Sequence, residues 1–408
     1  MINFKAFLVE EAAKPESEEG AKLKHITHPE DRPLMHGHEG FEHAHGALTQ
    51  AHEHMKSGKN NSNLTTKYDG SPAVVFGTHP KNKKFFVASK SAFNKEPKIN
   101  HTDADIERNH GHAPGLVSKL KAALHHLPKV TPKGKVYQGD IMHSEGDVQH
   151  DKKKGSSTFT PNTITYTAHG EEAKKAAKAK VGVAVHTQYH GTDIHNMSAH
   201  HVVDHHQFAN HPDVHHHDAS HDTSTISYPP EAHAKFQKHM DAAKAIHDTH
   251  GSKMYDAVHP AHKGDGGHLA TYINSTVRKD EIPNAKGFQT HVAAHYEKKA
   301  AGVKTDAGKA KHSDEGAAQV AHIEKNKSHY ENLLSAHHHL AQAKNTLVHH
   351  LESGGSKYDH HIDGKESKPE GFVVNHEHNG KSAPSKLVNR SEFAKANLLK
   401  VKKWKEGT

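Results

Sequence analysis

The 408-residue sequence contains no cysteine, which excludes disulfides, thiolate metal sites and a cysteine nucleophile. Aromatic residues are scarce at 6 %, with a single Trp, and hydrophobic residues reach only 33 %. Mean hydropathy is −0.90. A chain this long can still enclose a core, but much of it must be surface, loop or amphipathic helix. No apolar run approaches the ~20 residues that span a bilayer, so no membrane partner is expected. Met1 to Glu11 turns acidic too early for a signal peptide, so secretion is not expected either. The absence of a Gly-x-x-x-x-Gly-Lys run argues against a P-loop NTPase.

What the chain has in excess is histidine, 50 residues. Among so many, no single one stands out as a catalyst. The runs His215-His216-His217 and His337-His338-His339 read as helical. Neighbouring side chains on a helix point to different sides, so neither run is expected to hold a metal. Lys+Arg number 54 against 47 Asp+Glu, a net +7 before any histidine is protonated. That balance is compatible with a polyanionic partner without requiring one.

Periodicity divides the chain into four parts. Phe41, Ala44, Leu48 and Ala51 recur at helical spacing within an N-terminal helical arm, residues 1–60. From 61 to 200 the pattern turns to strands: Leu64 to Gly77 as strand, tight turn and strand, then Lys84–Lys90, Lys135–Met142, Thr163–Thr167 and the apolar run Val181–Thr187, with a helix over Leu116–Leu127. Residues 201–353 read as helical, strongest in Glu231–His250 and Val320–Leu351, with low-complexity His205–His217 and a loop at Asp306–Glu315. The last part, 354–408, returns to a strand at Gly371–Val374 and closes on a basic helix, Glu392–Lys405, that carries Trp404.

The segment that points to chemistry is Lys67-Tyr68-Asp69-Gly70. A lysine near the end of a buried strand becomes a nucleophile at neutral pH when desolvation or nearby cations lower its pKa. Asp69, two residues on, is read as sharing its face, placed to orient the amine or contact a ribose hydroxyl. Gly70 lets the backbone approach a ligand closely.

Further motifs follow in order: Ser89-Lys90-Ser91, Tyr137-Gln138-Gly139-Asp140, Val181–Thr187, Glu370-Gly371-Phe372-Val373-Val374 and Lys386-Leu387-Val388. Together with Lys-x-Asp-Gly, this series resembles the covalent nucleotidyltransferases, the superfamily of ATP-dependent DNA and RNA ligases and mRNA-capping enzymes. The likeness covers about 64–190 and 368–393. The resemblance implies an α+β fold, an antiparallel-sheet core like a ligase adenylation domain, interrupted by a helical insertion and without a C-terminal OB domain. It implies a lysyl-AMP intermediate on Lys67, with ATP and Mg²⁺, and transfer of the nucleotide to a nucleic-acid 5′ end. Lys67, Asp69 and Glu370 would then be catalytic, and Asp140 with Glu370 would hold the metal. Thr66, Gly70, Lys90, Tyr137 and Lys386 would bind the nucleotide, Tyr137 by stacking on the base, whereas Phe372 reads more simply as core.

The chain departs from the superfamily's pattern at three places. Ser71-Pro72 stands where an arginine is usual, Asp140 replaces a Glu, and Lys386 has Asn389 and Arg390 behind it in place of a second lysine. The whole also resembles a family of large tailed-phage proteins through Lys-x-Asp-Gly-Ser-Pro and Phe159-Thr160-Pro161-Asn162-Thr163-Ile164. That resemblance implies the cytoplasm of an infected host cell, or association with the virion. The rival reading is a ligase-like virion or binding protein, partnered by another phage protein, without turnover.

Overall fold

The computed structural model describes residues 26–58, 63–264, 266–378 and 381–390. The first 25 residues of the expected N-terminal arm and the basic helix around Trp404 lie outside the described residues. The fold is mixed α+β, about 50 % helix and 21 % strand, with mainly antiparallel sheets. The helices are α1 (Arg32–Ser57), α2 (Asp103–His110), α3 (Pro114–His126), α4 (Gly170–Lys178), α5 (Pro230–Ala257), α6 (His268–Lys279), α7 (Ala285–Ala301), α8 (Asp306–Lys325) and α9 (Lys327–Leu351).

Helix α1 buries Phe41, Ala44, Leu48 and Ala51, as their spacing predicts. It bends at Gly37, whose φ of 58° and ψ of −127° leave the helical region, a conformation that glycine adopts without Cβ strain. It packs with α5 and α9 around Phe236, Met240, Leu334, Leu340 and Leu347. Helix α9 ends before Gly354-Gly355, as those residues predict. The stretch Val320–Leu351 is two helices, however, which meet at Asn326.

Asp306–Glu315, expected as a loop, is the first half of α8. Thr305 caps it by accepting the Gly308 N–H. The helix lacks an apolar stripe because it packs through small residues. A Cβ built on Gly316 would stand 2.7 Å from the Tyr296 Cβ of α7. Backbone-to-ring approach of this kind leaves no periodic mark in a hydropathy pattern.

Among the described residues, three sheets carry the strands. Sheet I has the order β1 (Leu64–Lys67), β13 (Gly371–His378), β14 (Lys381–Leu387), all antiparallel. Sheet II has the order β10 (Val214–His217), β8 (Val181–His190), β4 (Val136–Ser144), β2 (Ala73–Thr78), β3 (Phe85–Ala88), with β9 (Ser198–His200) also on β8. Its β10–β8 pair is parallel. Sheet III joins β12 (Lys365–Glu366), β11 (Tyr358–Ile362), β7 (Thr165–His169), β6 (Ser156–Phe159) and β5 (Gln149–Asp151). The helical character expected from 201 thus begins only at Pro230, and His205–His217 contains a strand.

Strand alternation gives each sheet two unlike faces. Leu64, Phe372, Val374 and Leu387 of sheet I join the core of α1, α5 and α9. Val74, Phe76, Tyr137, Ile141, Val181, Val183 and Val185 of sheet II pack with Val117, Leu120 and Ala123 of α3. Tyr68, Phe159, Tyr166 and Tyr358 form a third core between sheets II and III, with Ala173 and Ala176 of α4. An ionic cluster ties the first and last described segments to α9. Lys344 on α9 meets Glu30 at 2.5 Å with both side chains 1 % exposed, and Arg390 reaches both Asp31 carboxylate oxygens at 2.9 Å. Burial works to raise the Glu30 carboxyl, but Lys344, His28 and Arg390 outweigh it and hold the group at about 2.

Buried histidines make the fold acid-sensitive. His221, His262, His268 and His360 are buried, and burial lowers them to about 4, 3, 4 and 4 respectively. With folded values below the ordinary 6.5, the unfolded chain takes up protons first as pH drops. Their neutral forms therefore favour folding above about pH 6.5, and stability is lost below it. At pH 5 each costs about 2 kcal/mol, together comparable with the whole stability of an ordinary domain. Calorimetry across pH 8 to 4 should show the unfolding midpoint dropping steeply below pH 6.5, and a profile flat between pH 7 and 5 would contradict this account.

Candidate functional site

Lys67 closes β1, and its register partner on β13 is Gly371. The residue before that glycine is Glu370, and its carboxylate forms an ion pair with the Lys67 amine. The pairing of β1 with β13 therefore brings two motifs from opposite ends of the chain into contact. Lys386 on β14 pairs with Val373, which puts it on the same face of sheet I as Thr65 and Lys67. Asp140 is contributed by β4 of sheet II. A Cβ on Gly70 would stand 2.5 Å from the Asp140 Cβ, so the absence of a side chain at residue 70 lets the turn after Lys67 lie against Asp140. The Lys67 side chain is 29 % exposed and that of Glu370 15 %. An amine, two carboxylates and a second amine thus lie close enough to act on one another by charge, in what is here called the Lys67 recess.

The charges in this recess act on each other strongly. Burial pulls the Lys67 ammonium down, but Glu370, by charge and hydrogen bond, carries it above its ordinary value, with Asp140 and Asp69 adding to the effect. Burial raises the Glu370 carboxyl, Lys67 opposes that, and the two aspartates add to it, with a net rise. Lys386 is lowered, by burial first and then by the charges of Lys67 and Arg390. The sequence led to an expectation of a lowered lysine at residue 67; the structure lowers Lys386 and holds Lys67 as a paired ammonium.

Asp69 has a different place from the one expected. Strand β1 ends at Lys67, and the Asp69 carboxylate turns into the interior. It accepts the Asn162 Nδ2–H at 2.8 Å and the backbone N–H groups of Thr163 and Ile164 at 2.7 and 2.9 Å. Its own N–H donates to the Tyr166 hydroxyl at 2.7 Å. The motifs Lys67–Gly70 and Phe159–Ile164 are therefore the two sides of one clamp. The Asp69 carboxylate is engaged in that clamp and acts on Lys67 through its charge.

Two further expected site residues, Thr66 and Tyr137, face other parts of the interior. Thr66 points away from Lys67, buried, with its hydroxyl 3.0 Å from His221 Nδ1. Tyr137 is 1 % exposed in the α3-facing core of sheet II, its ring 4.7 Å from that of Phe208. It is two-residue alternation that separates it from Asp140, three positions on and on the other face. Both side chains therefore lie in cores away from the Lys67 amine. Lys90 is exposed just past β3; the pairs Val75–Ala88 and Ala73–Asp140 bring it to the Asp140 end of sheet II, with β2 between. Phe372 is core, fully buried, as expected.

The residue that sequence reasoning passed over is His186, whose Nε2 stands 3.6 Å from Asp140 Oδ2. A β-bulge at this point shifts the β4–β8 register, and such a shift has no sequence signature. A cavity of about 1140 Å³ opens elsewhere, lined by His190, His200, His201, His205, His206 and His376 among others; Lys67, Glu370, Asp140 and Lys386 are not part of its wall.

The chain belongs to the family described as a family of unknown function (DUF6267), which matches it over residues 23–402. Comparison with curated proteins and with solved structures gives no match.

Replacement of Asp69 by Ala should take the acceptor from the backbone N–H groups of half-buried Thr163 and buried Ile164, while the exposed Asn162 amide turns to water. The expected loss is about 2–4 kcal/mol of stability, read as a lower urea midpoint. A midpoint unchanged from the parent would remove the clamp from the account.

Proposed function

We propose that the chain is a covalent nucleotidyltransferase of the polynucleotide ligase type, with Lys67 as the nucleophile toward the α-phosphorus of ATP. The observation that carries this reading is the convergence of Lys67, Glu370, Asp140 and Lys386 on one recess. The nitrogen–phosphorus bond forms as the bond to pyrophosphate breaks, which leaves a lysyl-nucleotide. Glu370, raised by burial, is the nearest base for the ammonium proton. When Lys67 parts from Glu370, burial and the Lys386 charge both act to lower the amine. Lys386 stands ready to neutralise phosphate charge. Asp140 and Glu370 offer hard oxygen donors, which suit Mg²⁺. Bound there, the ion would supply further neutralisation of the triphosphate. A nucleic-acid 5′ end is the acceptor that this chemistry serves.

The paired state of Lys67 and the inward placing of Thr66 and Tyr137 favour the rival reading, a ligase-like phage binding or virion protein without turnover. One experiment separates the two. Incubation with α-labelled ATP and Mg²⁺, followed by denaturation, should give a protein-bound label that Lys67→Ala abolishes. Because Lys67 is held above its ordinary pKa, the neutral amine is scarce at pH 7 and increases about tenfold per pH unit. The labelling rate should rise in step from pH 7 to 9. Absence of label with each of the four nucleoside triphosphates would favour the binding protein, and label that persists in Lys67→Ala would put the nucleophile elsewhere.

A further inference from the structure

A second constellation lies behind Lys67, and it is built by the histidine run that the sequence assigned to a helix. His215-His216-His217 forms β10, so alternation sends His215 and His217 to one face and His216 to the other, where it meets Phe208 and His205. Strand β8 lies between β10 and β4, and its Gly182 is the register partner of both His215 and His143. A Cβ on Gly182 would stand 2.3 Å from His143 Nε2. That glycine leaves the gap through which the His143 ring crosses β8, and His143 Nε2 comes to 3.2 Å from His215 Nδ1. All three imidazoles are buried, none more than 2 % exposed. One nitrogen from each lies within 4.8 Å of the others.

We infer that His143, His215 and His217 form a structural binding site for a zinc-type divalent cation. Two ligands on a tetrahedral zinc ion stand about 3.4 Å apart, given metal–nitrogen bonds of about 2.1 Å, and His143 and His215 already hold that separation. The outward nitrogens of His215 and His217 are fixed as a metal site requires. His215 Nε2 is 2.8 Å from the Glu172 carboxylate, and His217 Nδ1 is 2.7 Å from the Tyr358 hydroxyl. A carboxylate behind a ligating imidazole orients the ring and strengthens it as a donor. With those atoms engaged, His215 Nδ1 and His217 Nε2 are the nitrogens left for an ion. Among the described residues, His217 Nε2 has no hydrogen-bond partner although it is buried. A lone pair aimed into an apolar core is unfavourable unless something accepts it. Imidazole-only donors select zinc, cobalt or nickel over the magnesium that suits Asp140 and Glu370.

The site's position gives it a purpose. Tyr68, next to Lys67, lies 6.0 Å from the His217 ring and 5.9 Å from that of Tyr358. An ion bound here joins β4 and β10 of sheet II, through Glu172 and Tyr358, to α4 and to β11 of sheet III. It stiffens the floor under the Lys67 turn without entering that recess.

With so many histidines, the test must separate this site from loose surface binding. Full-length protein, purified without a nickel column and stripped by chelating resin, is exposed to Zn²⁺ and passed through gel filtration in the presence of imidazole. One equivalent of zinc should remain, and the melting temperature should rise above that of the stripped chain. His217→Asn should lose both effects, and Glu172→Gln should weaken zinc affinity about 10–100-fold. His38→Ala, which disrupts the half-exposed His38–Glu42–His247 group, should change neither. Should His217→Asn fail to fold, crystals of the unaltered protein grown with zinc decide by anomalous scattering. A peak among the three rings supports the site. A peak only elsewhere, no retained zinc, or full retention in His217→Asn overturns it.

Discussion

The candidate site depends on one pairing, β1 against β13, with the Lys67 ammonium and the Glu370 carboxylate joined at its end. Everything between residues 68 and 369 has to return the chain to that register. The alternation of the two strands then sorts their residues by function. Thr66 and Phe372 enter the helical core, and Lys67 and Lys386 line the recess. A slip of one residue would exchange the two sets and bury the lysine, so core packing and site assembly impose the same register. The 5 helices from Pro230 to Leu351 bear on the site chiefly through this constraint, because α5 and α9 supply the apolar surface on which that face of sheet I is pressed.

Histidine takes up part of the role that aromatics fill elsewhere. With 13 Phe, 10 Tyr and a single Trp in 408 residues, flat rings are in short supply, and imidazoles stack in their place. His247 lies on Phe41 with ring centres 3.9 Å apart, and His52 on Phe236 at 4.3 Å with planes 6° from parallel. A neutral imidazole packs as a small ring and still offers two nitrogens for hydrogen bonds. Such a core is dry only while its histidines stay neutral, which links packing to pH in a way that a core of Leu and Phe would not.

The sequence was legible where local pattern and final environment agree. The apolar stripes of α1 and α9, the strand-turn-strand around Lys67 and the Glu370 strand all follow from period and turn chemistry. Legibility ended where a residue's role is set by a partner distant in sequence. The motif around Tyr137 does not tell which face of β4 its ring lies on. Nor does the motif around Asp69 announce Asn162 beside it. His215–His217 reads as low complexity because its partner strand, β8, forms a parallel pair that no hairpin announces. Helix α8 packs through Gly316 where larger helices use Leu.

The four residues Lys67 to Gly70 show how these levels combine. Lys67 is held by Glu370, Tyr68 by the rings of Tyr166, Tyr358 and His217, Asp69 by the Asn162–Ile164 turn, and Gly70 by Asp140. Each residue of the turn is thus fixed by a different element, drawn from all three sheets and their loops. A turn determined from so many sides has little freedom to move, so any change in the state of Lys67 must come from a change in its charge partners and not from a movement of its backbone. Preorganisation of that kind is what a reacting amine requires. It also explains why the strand-turn-strand around Lys67 is the most readable feature of the sequence while its individual contacts are the least readable: the turn is local, and each of its anchors is remote.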